Sequence, residues 1–216
     1  MKFFQRIWAI AGNTFTELVR MKVFYFLLIF GFLLTGASLL SVNFSFAEEF
    51  QMMRDVGLGA ISLFTSLLAI AGTSILLPKE IEDRTLYTIL AKPVPRHEYL
   101  LGKWLGACFL IGLALVLMAA LFFALVYFRL EARSAELVGQ LQGEDLEAAK
   151  ANLRSDVLNV GYVPGLLMIY IRACLVASFT LLISTIATSS LFTLICAFMV
   201  FLIGHIQAVA REAMER

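Results

Sequence analysis

Apolar and polar positions divide this chain into long blocks. Continuously apolar runs occupy residues 23–42, 56–77, 104–128, 163–187 and 191–209. A helix needs about 20 residues to cross a bilayer core, and each run is close to or above that length. The runs do not alternate apolar with polar, so they predict helices and not barrel strands. Small residues punctuate them, as in Gly102-x-x-x-Gly106. That spacing lets two helices approach closely and is read as ordinary bundle packing.

Residues 1–22 follow a different rule. Phe4, Trp8, Ala11, Phe15 and Leu18 recur at helical spacing, with Arg6, Asn13, Glu17 and Arg20 on the opposite side. The segment lacks the apolar core and small-residue cleavage site of a signal peptide. It predicts an amphipathic helix in the membrane interface, with Trp8 at headgroup depth and the basic residues towards anionic lipid. Met21-Lys22 then turns the chain into the first span, read as an uncleaved signal anchor.

Two connections are too long to be turns. The segment 78–103 contains EIEDRTLYTILAKPVPRHEYLLGK over residues 80–103. Glu80, Glu82 and Asp83 are expected in the first turn of a helix, where its dipole favours carboxylates. That helix is expected to run to about Ala91 and stop before Pro93, with Ile81, Thr85, Leu86, Ile89 and Leu90 on one side. Pro93 and Pro95 predict a stiff bend, and a second short helix from Arg96 to Gly102 leads into the third span. A structured elbow joined to two spans can pass force from a soluble partner into the membrane. The segment 129–162 is rich in Ala, Leu, Glu and Gln and reads as a solvated helical hairpin. Val163-Pro164 marks the start of the fourth span, and Thr188–Ser190 predicts a tight hairpin between the last two.

Composition agrees with this layout. Of the 216 residues, 61% are hydrophobic and only 15% charged, with a mean hydropathy of +0.88. Soluble domains run at about 45–50% apolar and about 25% charged. The chain is too short to hide that surplus in an interior, which excludes an ordinary soluble enzyme, a disordered protein and a disulfide-framed domain. Seventeen Lys and Arg against 16 Asp and Glu give a net charge of +1, no footprint for nucleic acid. Placement matters more. Lys2, Arg6, Arg20 and Lys22 share one side with Lys79, Arg84, Lys92, Arg96 and Lys103, which predicts a cytoplasmic N-terminus. An odd number of spans then leaves the C-terminus outside. Cys108, Cys174 and Cys196 lie within apolar runs and read as small buried hydrophobes.

Catalytic patterns are absent. Glu80, Glu82 and Asp83 with His97 match no zinc, calcium or two-metal spacing and read as a solvated turn. No nucleophile elbow, His-Glu-x-x-His pair or paired intramembrane aspartates occur. Gly102-Lys103 is followed by Trp104, and His97 stands where a Walker loop needs its first glycine, so any ATP-driven role needs another subunit. Two ionisable residues fall in or near spans. Arg172, about two turns from the outer end of the fourth, either snorkels to the interface or lines a substrate path or an anionic lipid contact. His205, near the outer end of the fifth, is either an amphipathic tip or functional.

The elbow Glu80-Ile81-Glu82-x-Arg84-Thr85-Leu86-Tyr87-x-Ile89-Leu90-Ala91-Lys92-Pro93-Val94-x-Arg96, ending Leu101-Gly102-Lys103, resembles the ABC-2 type transporter permeases. So does Trp8-Ala9-Ile10-Ala11-x-Asn13-Thr14-Phe15-x-Glu17-x-x-Arg20. The likeness is strongest to the short six-span branch that includes the permease of nitrous-oxide reductase maturation. It implies a multi-pass subunit of the bacterial cytoplasmic (inner) membrane, working as two permease units with two cytoplasmic ATPases. Glu80, Glu82, Arg84, Thr85, Lys92, Pro93 and Arg96 would meet the ATPase, flanked by Arg6, Glu17 and Arg20 on the N-terminal interfacial helix. ATP and Mg would be held by the ATPase, and this chain would bind no cofactor or metal. The family pattern has six spans and a cytoplasmic C-terminus, whereas Arg216 follows the fifth expected span here, which implies either a truncated product or a missing last span.

The sequence therefore predicts an all-α polytopic bundle of about five spans forming one permease domain over residues 1–216. Its expected role is that of a non-catalytic subunit of an ATP-binding-cassette exporter. The alternatives are a non-transporting anchor or assembly factor acting through residues 129–162, and a membrane-embedded enzyme, which the missing constellations oppose.

Overall fold

The computed structural model describes residues 2–37, 49–82, 95–140, 162–187 and 189–214. Helices account for nearly all of them: α1 (Lys2–Val19), α2 (Lys22–Ala37), α3 (Glu49–Glu82), α4 (Arg96–Gln140), α5 (Tyr162–Ile186) and α6 (Ser190–Met214). Four stretches are long and apolar enough to span a membrane: Arg54–Lys79, His97–Arg129, Tyr162–Ile186 and Ser190–Gln207. A shorter apolar helix, Phe24–Leu33, lies within α2.

The bundle is held by three apolar clusters stacked along its length. At the end nearest α1, Leu18, Phe24, Leu76, Leu110 and Leu181 join five helices. Midway, Ala69, Ile111, Ala173 and Ala177 bring α3, α4 and α5 together over small side chains. At the far end, Ile61, Phe64, Met118, Phe122 and Tyr162 fill the space with larger ones. Water cannot satisfy backbone or hydroxyl groups in such an interior. Buried Thr65 and Thr73 accordingly donate to the carbonyls of Ile61 and Ala69, each at 2.6 Å. Trp104 crosses from α4 to α5, its Nε1 donating to Ser178 Oγ at 2.8 Å. Helix α6 packs on α3 and α5 and leaves most of its apolar surface exposed.

Several sequence expectations are corrected. Glu80 and Glu82 do not open a new helix. They lie in the last described turn of α3, which continues through Pro78, so the positive end of a helix dipole is not at hand to favour them. Proline deletes one ladder hydrogen bond, but a helix buried among others tolerates that loss. Arg96–Gly102 is likewise not a separate helix but the first turns of α4, which runs 45 residues without a break. At about 1.5 Å per residue, α4 is roughly twice as long as a bilayer core is thick, so it extends beyond it. The segment after Arg129 is therefore helix as far as Gln140. Glu144–Leu153, expected to be helical, lies outside the described residues. The connection between α5 and α6 is as short as expected, and Pro164 sits in the first turn of α5, where its missing N–H is harmless.

The amphipathic α1 buries a different face from the one its periodicity suggested. Ile7, Ala11, Thr14 and Leu18 are buried, whereas Phe4 and Trp8 stay exposed at 69% and 62%. Ala11 and Leu18 belong to both sets, while Ile7 and Thr14 replace bulkier neighbours. The selection comes from α4, because the facing helix offers a shallow groove that only a narrow ridge can enter.

Candidate functional site

The site is built where α1 meets the ends of α3 and α4. Gly102 and Gly106 stand one turn apart on α4, and their missing side chains form the groove. A Cβ at Gly102 would lie 2.7 Å from Ile10 Cβ, and one at Gly106 would lie 2.7 Å from the Ala11 carbonyl oxygen and from Thr14 Cβ. Residues near 6, 10 and 14 of α1 thus oppose residues 98, 102 and 106 of α4, and the two helices run side by side in the same direction. Thr14 can be buried there because its Oγ1 donates to the Ile10 carbonyl at 2.9 Å.

Charge closes the same joint. Glu17 of α1 reaches Lys79 of α3 at 3.4 Å and Lys103 of α4 at 3.5 Å. Arg6 of α1 faces Glu98 of α4 at 3.8 Å. Lys103 is only 2% exposed, and its ammonium also lies 5.8 Å above the Tyr99 ring. An ammonium removed from water costs several kcal/mol unless an opposite charge faces it. Glu17, with about a quarter of its side chain exposed, supplies that charge. One carboxylate therefore ties three helices together, and Trp8 stacks obliquely on Phe109 at 5.4 Å alongside.

The resemblance places Arg6, Glu17 and Arg20 beside a partner. The structure pairs Arg6 with Glu98 and Glu17 with Lys79 and Lys103, while Trp8 stays exposed beside Phe109 and Arg20 is exposed at the turn into α2. Lys79 and Lys103 had entered only as markers of orientation, and Glu98 not at all. Their signal was present in the Gly102-x-x-x-Gly106 pair, which brackets Lys103. Of the elbow residues, Glu82 ends the described part of α3, with Glu80 two residues before it, and Arg96 begins α4. Arg84, Thr85, Lys92 and Pro93 lie outside the described residues. Both arms of the elbow thus leave from helices clamped by the collar. No three His, Cys, Asp or Glu side chains converge as a metal site among the described residues.

Arg172 and His205, unrelated by sequence spacing, are brought together across α5 and α6. A guanidinium nitrogen of Arg172 lies 3.3 Å from His205 Nδ1. Phe201 stacks on the imidazole, and the guanidinium carbon lies 5.8 Å over the same ring. Arg172, Phe201 and Gly204, the last next to His205 in sequence, line one end of a cavity of about 300 Å³ between the two helices.

No curated protein and no solved structure matches the chain. A protein family does match, over residues 8–208, from the glycine-seated α1 to the far half of α6. That stretch is nearly the whole chain and agrees with the four helices able to span a membrane. The chain thus belongs to the ABC-2 family transporter proteins, and it is a multi-pass membrane component of an ABC transporter.

Proposed function

We propose that this chain is the permease subunit of an ATP-driven exporter, in which a separate cytoplasmic ATPase moves the spans through the elbow between α3 and α4. The observation that carries the reading is the collar. Glu17 joins α1, α3 and α4 at the two points from which the elbow departs. A push on residues 83–94 would be delivered to three helices at once instead of being lost in one loose end. The chain has no phosphate-binding loop of its own, so the hydrolysing site belongs to the partner. In this reading the N-terminus and elbow are cytoplasmic, two copies work with two ATPases in an inner membrane, and Glu80, Glu82, Arg84, Thr85, Lys92, Pro93 and Arg96 form the contact.

The test is co-purification from mild detergent, with ATP hydrolysis assayed on wild type and on Glu80→Ala/Arg84→Ala. The expected result is a soluble ATPase that travels with the wild type and is lost from the variant. Absence of an ATPase from the folded wild type would reject the exporter reading. An ATPase that stays with the variant would reject the elbow as its contact.

A further inference from the structure

A guanidinium in mid-span needs a counter-charge, and among the described residues no carboxylate pairs with Arg172. Arg172 is ten residues from the start of α5, about 15 Å along the helix, and farther still from its other end. Its side chain does not run back along α5 but turns to His205 on α6. Of the 16 acidic residues, only Asp55 and Glu98 fall inside the four spanning stretches, each within one residue of a span's start, and none lies in α5 or in residues 190–207 of α6. A second copy of the chain would have the same deficit. Leaving a cation uncompensated at that depth costs at least about 2.5 kcal/mol.

The surroundings show what kind of anion would fit. A guanidinium can only donate, so His205 Nδ1 is the acceptor in their contact and Nε2 carries the ring hydrogen. The pair therefore offers donors alone. From it the cavity runs between α5 and α6 past Val176, Phe179 and Ile183 on one side and Ala197 and Val200 on the other. Charge lies at one end, and the rest of the lining is hydrocarbon apart from Thr180, whose hydroxyl is tied to the Val176 carbonyl at 2.8 Å. Phe179 is 60% exposed, and the face around it is open to the bilayer.

We infer that this groove binds an anionic glycerophospholipid, with its phosphate on Arg172 and His205 and an acyl chain laid along α5 and α6 towards their hairpin. A free phosphate would satisfy the charge but leave the apolar length empty, and a neutral lipid would fill the length but not the charge. The chain direction suits a lipid taken from the leaflet at the Tyr162 end of α5. The inference rests on the membrane fold and not on ATP coupling, so a missing ATPase partner would leave it standing.

The full chain, purified in mild nonionic detergent, is titrated with phosphatidylglycerol or phosphatidylcholine of matched chains, and lipid-bound protein is read by native mass spectrometry. Wild type is expected to hold phosphatidylglycerol about tenfold more tightly, as a charge-assisted contact implies. Arg172→Gln should erase the preference. Gly204→Leu gives a second route, because nothing lies within 4 Å of a Cβ there and the larger side chain fills the groove without meeting protein. It should weaken phosphatidylglycerol retention with Arg172 intact. Equal retention of the two lipids by wild type would overturn the inference. So would wild-type retention by either variant, or displacement of the lipid by inorganic phosphate alone at millimolar concentration.

Discussion

Gly106→Ala is the smallest change that tests how α1 is seated. The new methyl would sit 2.7 Å from the Ala11 carbonyl oxygen and 2.7 and 2.9 Å from Thr14 carbons, where ordinary contact begins at 3.4 Å. The Ala11 oxygen is backbone and cannot rotate away, so α1 must withdraw by about 0.7 Å. Overpacking of this kind costs about 1–3 kcal/mol. Alanine's better helix propensity returns about 0.8–1 kcal/mol to α4, which makes the clash the larger effect. At the middle of that range the net loss in docking is about 1 kcal/mol, which raises the open population of α1 about fivefold. Hydrogen exchange followed by mass spectrometry on a peptide covering residues 2–19 reads that change, with a peptide from α5 as internal reference. Gly12→Ala is the control, since nothing lies within 4 Å of a Cβ there and it should slow exchange slightly. Unchanged or slower exchange of α1 in Gly106→Ala would refute the seating. Equal acceleration of α1 and α5 would do the same, because the loss would then be global.

Two further outcomes follow from the same contacts. Glu17→Gln removes the charge that faces Lys79 and Lys103, and should lower the thermal midpoint in detergent by the equivalent of about 1–3 kcal/mol. Glu17→Gln/Lys103→Met should recover part of that loss, and a neutral single variant would mean that the collar holds nothing. Gly57→Ala should destabilise more than Gly31→Ala. The first drives a methyl into the buried ring of Phe122, and the second meets the flexible end of Met118 at 2.7 Å. Equal midpoints in a denaturing-detergent titration would contradict that ordering.

Helix type and the overall architecture were legible because they depend on local hydropathy. A run such as 104–128 has no soluble alternative, whatever it packs against. The motif over residues 80–103 is a sequence feature, and its middle, 83–94, lies outside the described residues. Helix breaks were harder to read. Pro78 and the Gly102-Lys103 pair look like boundaries in one dimension, yet α3 and α4 run across them. The buried face of α1 was misjudged for a related reason. Periodicity ranks residues by apolarity, so Phe4 and Trp8 outweighed Ile7 and Thr14, but a glycine groove selects for a narrow ridge.

The sequence by itself determined an all-helical membrane protein, the chemistry it lacks and the family it belongs to. Those properties follow from composition, period and short motifs, each contained within a few turns of chain. Only the tertiary structure decided which charges meet. Glu17 and Lys103 are separated by the whole of two apolar runs, and Arg172 and His205 by a hairpin, and no periodicity links them. Ion pairing depends on distances of a few ångströms in space, and those are fixed only when the helices dock.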